Sequence, residues 1–202
     1  MQFEWDEAKA LRNLVLHGVD FEDAIQVFLD PARMEIEDDR YDYGERRFVA
    51  VGVVNQLLIV VVYTERLEAT RIISARRNRM SEKGTIRVKL DITKKPVAKG
   101  KTDWARLRSM TDEQGHSAAL ADKDNLPLGV VELAQFETVP DTRAIRESLK
   151  LTQREFAGRF HLSLATVRDW EQGRFQPDQA ARTLLRLIAS EPEFVERALR
   201  GE

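Results

Sequence analysis

The sequence points to an α+β protein, with a small antiparallel sheet and its helices first, a linker carrying short helices next, and an all-α domain last. Three observations carry that expectation. Helical spacing over the first thirty residues gives way to four consecutive strand-like runs, an order that favours an antiparallel meander packed on helices over a parallel sheet. A basic stretch with Gly84, Pro96 and Gly100 then breaks the pattern. Finally, the run LTQREFAGRFHLSLATVRDWEQGRFQP from Leu151 to Pro177 reads as two short capped helices joined by a tight turn.

Taken in order, Ala8, Leu11, Leu14 and Val15 share one side of a first helix that breaks at His17-Gly18, and Phe21, Ala24, Ile25 and Phe28 mark a second, ended by Asp30-Pro31. Strands are expected over Met34–Ile36, Arg46–Val53, Leu57–Tyr63 and Thr70–Ser74, with Asn55-Gln56 as a tight turn. The stretch Arg77–Lys101 is a linker with one strand, signalled by the alternation of Ile86, Val88 and Leu90. Short helices over Trp104–Met110 and Asp112–Leu120, a turn-rich break over Asp124–Gly129 and a helical segment over Val130–Phe136 complete the middle. The expected domains are therefore 1–79, 80–139 and 140–202.

In the last domain, Thr152 and Glu155 form a capping box with Leu151 stapled to Phe156, and Ser163 caps the next helix with Leu162 and Val167 as its staple. Gly173 ends that helix. Pro177 opens a further helix with Leu184, Leu185, Leu187 and Ile188 as its core stripe, and Phe194, Val195 and Leu199 mark a terminal one.

The 202 residues are 43% hydrophobic and 33% charged, as in soluble globular proteins. There is no cysteine and there are three histidines, which excludes disulfides and points away from a metal or other cofactor. No glycine-rich phosphate loop is present. The most apolar run, Leu57–Val62, is too short to span a bilayer and no signal peptide is recognisable, so a cytoplasmic location is expected. The net charge of −2 hides segregation, with basic residues gathered from Arg71 to Lys101 and again at Arg143, Arg146, Arg168 and Arg174.

In the capped pair, Phe156, Ala157, Val167 and Trp170 fall on an inward face, whereas Ala165, Thr166, Arg168, Asp169 and Gln172 point outward. Outward residues near the start of such a second helix reach base edges in the major groove. Gln153, Ser163, Ala165, Thr166, Arg168, Gln172 and Arg174 are accordingly the expected DNA-binding residues. Through Leu151-Thr152-Gln153, Phe156-Ala157, the Ser163–Trp170 helix and Trp170-Glu171-Gln172-Gly173-Arg174 before Pro177, the stretch resembles helix-turn-helix domains of the Cro/xenobiotic-response-element (XRE) class. That resemblance implies operator DNA as a partner and, by the two-fold symmetry of such readers, a homodimer or higher even oligomer.

The N-terminal residues resemble the BrnT toxins, small ribonucleases of RelE-like fold, through Phe3-Glu4-Trp5-Asp6, Lys9, Asn13, His17-Gly18-Val19, Phe21, Ala24, Phe28, Asp30-Pro31, Glu45-Arg46-Arg47, Val61-Val62-Tyr63-Thr64 and Arg71-Ile72-Ile73-Ser74-Ala75-Arg76. This resemblance implies RNA cleavage silenced by a partner antitoxin. Cleavage without a metal needs a base for the 2′-hydroxyl, an acid for the leaving oxygen and cations for the phosphorane. Lys9, His17, Tyr63, Arg71 and Arg76 are the candidate catalytic residues, His17 being the side-chain type that titrates nearest neutrality. The other reading of His17 is a helix-ending residue bonded to backbone beside Gly18. Trp5 and Phe21 read as core, and Arg46 and Arg47 as partner-facing.

The family's Ser-Ala-Arg strand is normally followed by a charged helix, whereas here Arg76-Arg77-Asn78-Arg79 runs into Met80-Ser81-Glu82-Lys83, which looks like the start of a second protein. Thr102-Asp103-Trp104-Ala105-Arg106-Leu107-Arg108 and the helix-turn-helix resemble the accompanying antitoxins. A fused type II toxin–antitoxin protein is expected. In it the C-terminal half would bind operator DNA as an autorepressor, and the segment from Met80 to about Phe136 would mask a metal-independent endoribonuclease, Ile86, Val88 and Leu90 adding a strand to its sheet. The alternative is a DNA-binding transcriptional regulator whose toxin-like domain is an inactive interaction module.

Overall fold

The computed structural model describes residues 2–66, 69–78 and 100–201, in two compact units that divide between Thr138 and Val139. The first holds β1 (Phe3–Glu4), α1 (Glu7–His17), α2 (Phe21–Ala24) running on as a 3-10 turn (Ile25–Leu29), β2 (Met34–Glu37), β3 (Phe48–Val54), β4 (Leu57–Glu65), β5 (Thr70–Asn78), α3 (Trp104–Ser109), α4 (Asp112–Ala121), α5 (Val130–Ala134) and β6 (Glu137–Thr138). Among the described residues no helix is long and apolar enough to cross a membrane.

The strands form one sheet in the order β1-β5-β4-β3-β2-β6. From β2 to β5 it is the expected antiparallel meander. Asn55 and Gln56 both have positive φ, 49° and 66°, as a two-residue type I′ hairpin turn demands. β1 pairs parallel to β5, a strand absent from the sequence reading because two residues are too short to display alternation. The expected strand at Ile86–Leu90 lies outside the described residues. The side of β2 away from β3 is paired by β6, Met34 opposite Thr138 and Glu35 opposite Glu137.

Alternation along the strands builds two faces. One carries Phe48, Ala50, Ile59, Val61 and Tyr63, all buried, and packs with Val27 and Phe28, the Phe28 ring meeting that of Tyr63 edge-on. Gly52 lies here because a β-carbon would come 3.1 Å from the Val27 side chain and 3.2 Å from its carbonyl oxygen. The other face carries Val49, Val51, Val60 and Val62, packed against Leu128 and Phe136. A bulge between Val62 and Tyr63 inserts Ile73 into β5.

Residues 100–138 wrap this sheet. The amides of Gly100 and Thr102 donate to buried Asp23, and that of Lys101 to Asp20, at 2.8–3.1 Å. Leu107 of α3 is fully buried and lies 3.4 Å from where a β-carbon on Gly18 would stand. Arg77 donates to the carbonyls of Leu107 and Met110 at the end of α3.

The second unit contains α6 (Thr142–Ser148), α7 (Gln153–Arg159), α8 (Leu164–Glu171), α9 (Gln179–Ser190) and α10 (Pro192–Arg200). Its core is Phe156, Ala157, Phe160, Val167, Leu185, Ile188 and Val195, with Leu151, Leu162 and Trp170 packed against it. The capping box of Thr152 and Glu155 forms in both directions, and Ser163 caps α8. The turn between them passes through His161 at φ 52°, a left-handed residue where the chain reverses.

Candidate functional site

The first candidate site grows from the C-terminal part of α1 and from β5. Asn13, buried in the helix, donates from Nδ2 to the carbonyls of Val19 and Ala75, each at 2.8 Å. Its Oδ1 accepts from the Ala75 amide at 2.9 Å and the Ser74 hydroxyl at 3.2 Å. One side chain thereby clamps α1, and so His17, beside Ser74 and Arg76. His17 ends the helix because Gly18 takes φ 72°, a conformation glycine adopts without steric cost.

Onto this corner the turn after α4 delivers Asp122, Asp124 and Asn125. Asp122 Oδ2 accepts from His17 Nε2 at 2.9 Å and from Ser74 Oγ at 2.6 Å, and its Oδ1 takes the Asp124 amide at 3.0 Å. Asp124 is held by Lys9 Nζ at 2.6 Å and by Arg47 at 2.9 Å. Arg76 Nε donates to the backbone oxygen and Oδ1 of Asn125 at 3.2 and 3.1 Å. Arg40, clamped to Asp38, reaches the Pro127 carbonyl at 3.2 Å. The turn's two acidic side chains are thus each gripped by two groups from the sheet domain.

Electrostatics follow from this packing. Burial acts to raise the carboxyls of Asp122 and Asp124, but hydrogen bonds from His17 and Ser74, and from Lys9 and Arg47, hold both below the usual carboxylate range. Burial, against the attraction of Asp122 and with the repulsion of Arg40, brings Arg76 down to about 10. It therefore remains a cation at neutral pH.

Of the five side chains expected to be catalytic, Lys9, His17 and Arg76 meet around the turn. His17 is 3% exposed, and its Nε2 pairs with a carboxylate rather than with backbone. Arg71 lies on β5 opposite Thr64, on the same face as Arg76 through the bulge but about 16 Å along the strand. Tyr63 is not brought to the cluster: it is buried on the opposite face, its hydroxyl donating to Glu35 Oε2 at 3.0 Å. Burial raises its phenol well above the ordinary value. The sequence reading missed Asp122 and Arg40, gave Ser74 no role in the site, and saw Asp124 and Asn125 only as turn residues. Asn13 offered a signal, being a polar, poor helix former on the inward face.

The second candidate site is the exposed side of α8. Ala165, Arg168 and Gln172 are exposed and Thr166 half-buried, while Arg174 stands beyond the helix, 3.4 Å from Asp169. Ser163 uses its hydroxyl to accept from the Thr166 amide. Gln153 donates to Glu171 at 2.9 Å, where Arg146 also donates at 2.6 and 3.0 Å. Burial would raise the Glu171 carboxyl, yet these bonds hold it low, and the charged knot ties α6, α7 and α8 together.

Comparison with known proteins matches both units. The family described as "Ribonuclease toxin, BrnT, of type II toxin-antitoxin system" matches residues 5–82, and a helix-turn-helix family matches residues 143–181. Antitoxin HigA-2 of Vibrio cholerae serotype O1 (strain ATCC 39315 / El Tor Inaba N16961) is 42% identical over 50 residues, 25% of this chain and 48% of that protein. The chain thus spans about half the length of this curated relative. The crystal structure of a helix-turn-helix XRE-family like protein from Agrobacterium tumefaciens is 56% identical, covering 30% of this chain and 98% of that one, with a TM-score of 0.30.

Proposed function

Since the chain joins a BrnT toxin-family domain to a helix-turn-helix domain of the XRE family, we propose that it is a self-neutralised toxin–antitoxin protein. Its first domain is a metal-independent endoribonuclease, and residues 100–138 silence it. In the cleavage step His17 accepts the 2′-hydroxyl proton as that oxygen attacks phosphorus, the P–O5′ bond breaks with the leaving oxygen taking a proton from solvent, and Arg76 stabilises charge developing on the phosphorane. The helix-turn-helix represses its own operator, with Arg168, Thr166 and Gln172 reading bases along α8 and Gln153 leaving Glu171 to meet a phosphate. The observation that carries this reading is Asp122, whose carboxylate oxygen sits between His17 and Ser74.

The test uses the intact chain. Asp122→Asn with Asp124→Asn keeps side-chain shape and removes both charges, and the paired variant is expected to cleave RNA and arrest growth where the parent chain does neither. Adding His17→Ala to the pair is expected to abolish both effects. A folded paired variant that leaves RNA intact would overturn the nuclease reading, leaving a DNA-binding regulator with an inactive toxin-like domain.

A further inference from the structure

We infer that the seats of Asp122 and Asp124 are two adjacent phosphate sites, for consecutive phosphates of single-stranded RNA, and that Lys9 and Arg47 bind the phosphate next to the one that reacts. This inference rests on the nuclease reading above. Asp122 occupies the seat formed by His17 and Ser74, with Arg76 bonded to the same turn. Asp124 occupies the seat formed by Lys9 and Arg47, one oxygen to each.

An ionised carboxylate gripped by two donors presents the same chemistry as the non-bridging oxygens of a phosphodiester, an anion accepting charge-assisted hydrogen bonds. Only Lys123 stands between the two aspartates, so their α-carbons lie no more than about 7.6 Å apart, the scale of one nucleotide step. The seats differ in what they can do. The first holds the imidazole, whose ring offers a nitrogen that can accept a proton. The second holds a primary ammonium and a guanidinium, which offer charge and donors but no ready base. Lys9, expected from sequence to be catalytic, is thereby assigned to binding, together with Arg47.

The experiment takes the intact Asp122→Asn, Asp124→Asn chain and a fluorescent 2′-O-methyl tetraribonucleotide, which lacks the attacking hydroxyl and is too short and single-stranded for a duplex reader. Lys9→Met and Arg47→Ala are each expected to weaken binding about tenfold, and together, by removing one phosphate contact, to flatten the dependence of log Kd on log salt by about 0.7. A 2′-O-methyl dinucleoside monophosphate, with one phosphate, is expected to bind equally well with or without them. In cleavage assays both substitutions raise KM and leave kcat unchanged, whereas His17→Ala removes kcat. If the paired variant cleaves RNA but neither substitution moves KM or the salt slope, the second seat only latches the turn and the inference fails while the nuclease reading stands. If a folded paired variant neither cleaves nor binds, both fail. Should the pair of substitutions unfold the chain, Asp124→Asn alone is expected to bind the tetranucleotide at least tenfold more tightly than the parent. Arg47→Ala should abolish that gain, and no gain overturns the inference.

Discussion

Asn13 shows how much one buried amide can organise. Its four hydrogen bonds satisfy backbone groups of Val19 and Ala75 and orient Ser74, and an unpaired buried polar group costs about 1–3 kcal/mol. Asn13→Ala is expected to cost about 3 kcal/mol, read as a drop of roughly 10 °C in the Tm of the sheet unit; an unchanged Tm would contradict the clamp. The neighbouring Asp122 and Asp124 carry a pH prediction. Both carboxyls are held below their ordinary value, so their contribution is complete above the unfolded carboxylate range and is lost as pH falls through the lower folded values. The turn is expected to stay protected against hydrogen exchange at neutral and mildly acidic pH and to open only below about pH 4. Opening already at about pH 6, with both carboxylates ionised, would show that other groups hold it.

Helix α8 separates stability from reading along its own length. Val167 is fully buried and Trp170 packs half-buried on the same core, while Arg168 faces solvent. Trp170→Ala is expected to cost about 3 kcal/mol, the lower end for removing a large aromatic because part of the ring is already wet. Arg168→Ala should leave the Tm in place and weaken operator binding by about 1–3 kcal/mol. A melting curve and a binding titration on each variant check the division: a destabilised Arg168→Ala chain, or a Trp170→Ala chain with full stability, would reverse the assignment. The caps were legible in sequence because Thr152, Glu155 and Ser163 act within three residues of themselves.

Across the chain, cohesion divides between Thr138 and Val139. Two calorimetric transitions are expected, with Asp122→Asn and Asp124→Asn lowering only that of the sheet unit. A single cooperative transition shifted as a whole would mean that the units unfold together. Residues 100–138 belong to the sheet unit although they follow its last meander strand by more than twenty positions. The binding of Gly100 and Thr102 to Asp23, the burial of Leu107 and the pairing of β6 with β2 explain why.

The helices, the meander strands, the Asn55-Gln56 turn and the two caps could be read directly because each depends on side chains a few residues apart: alternation, helical spacing, an oxygen near an orphan amide, a residue suited to positive φ. The candidate site was only half legible. His17, Arg76 and Lys9 were recognisable by type, but the carboxylates that hold His17 and Lys9 come from 105 and 115 positions away, and a turn aspartate looks the same whether it meets water or a buried imidazole. Tyr63 and Arg76 face opposite ways by strand phase, Arg76 standing opposite Val60, three positions from Tyr63, whereas Arg71 shares the face of Arg76 because the β4–β5 bulge inserts one residue between them. Local order follows from neighbours along the chain, whereas charge pairing and face depend on packing between distant segments, which only the tertiary structure decides.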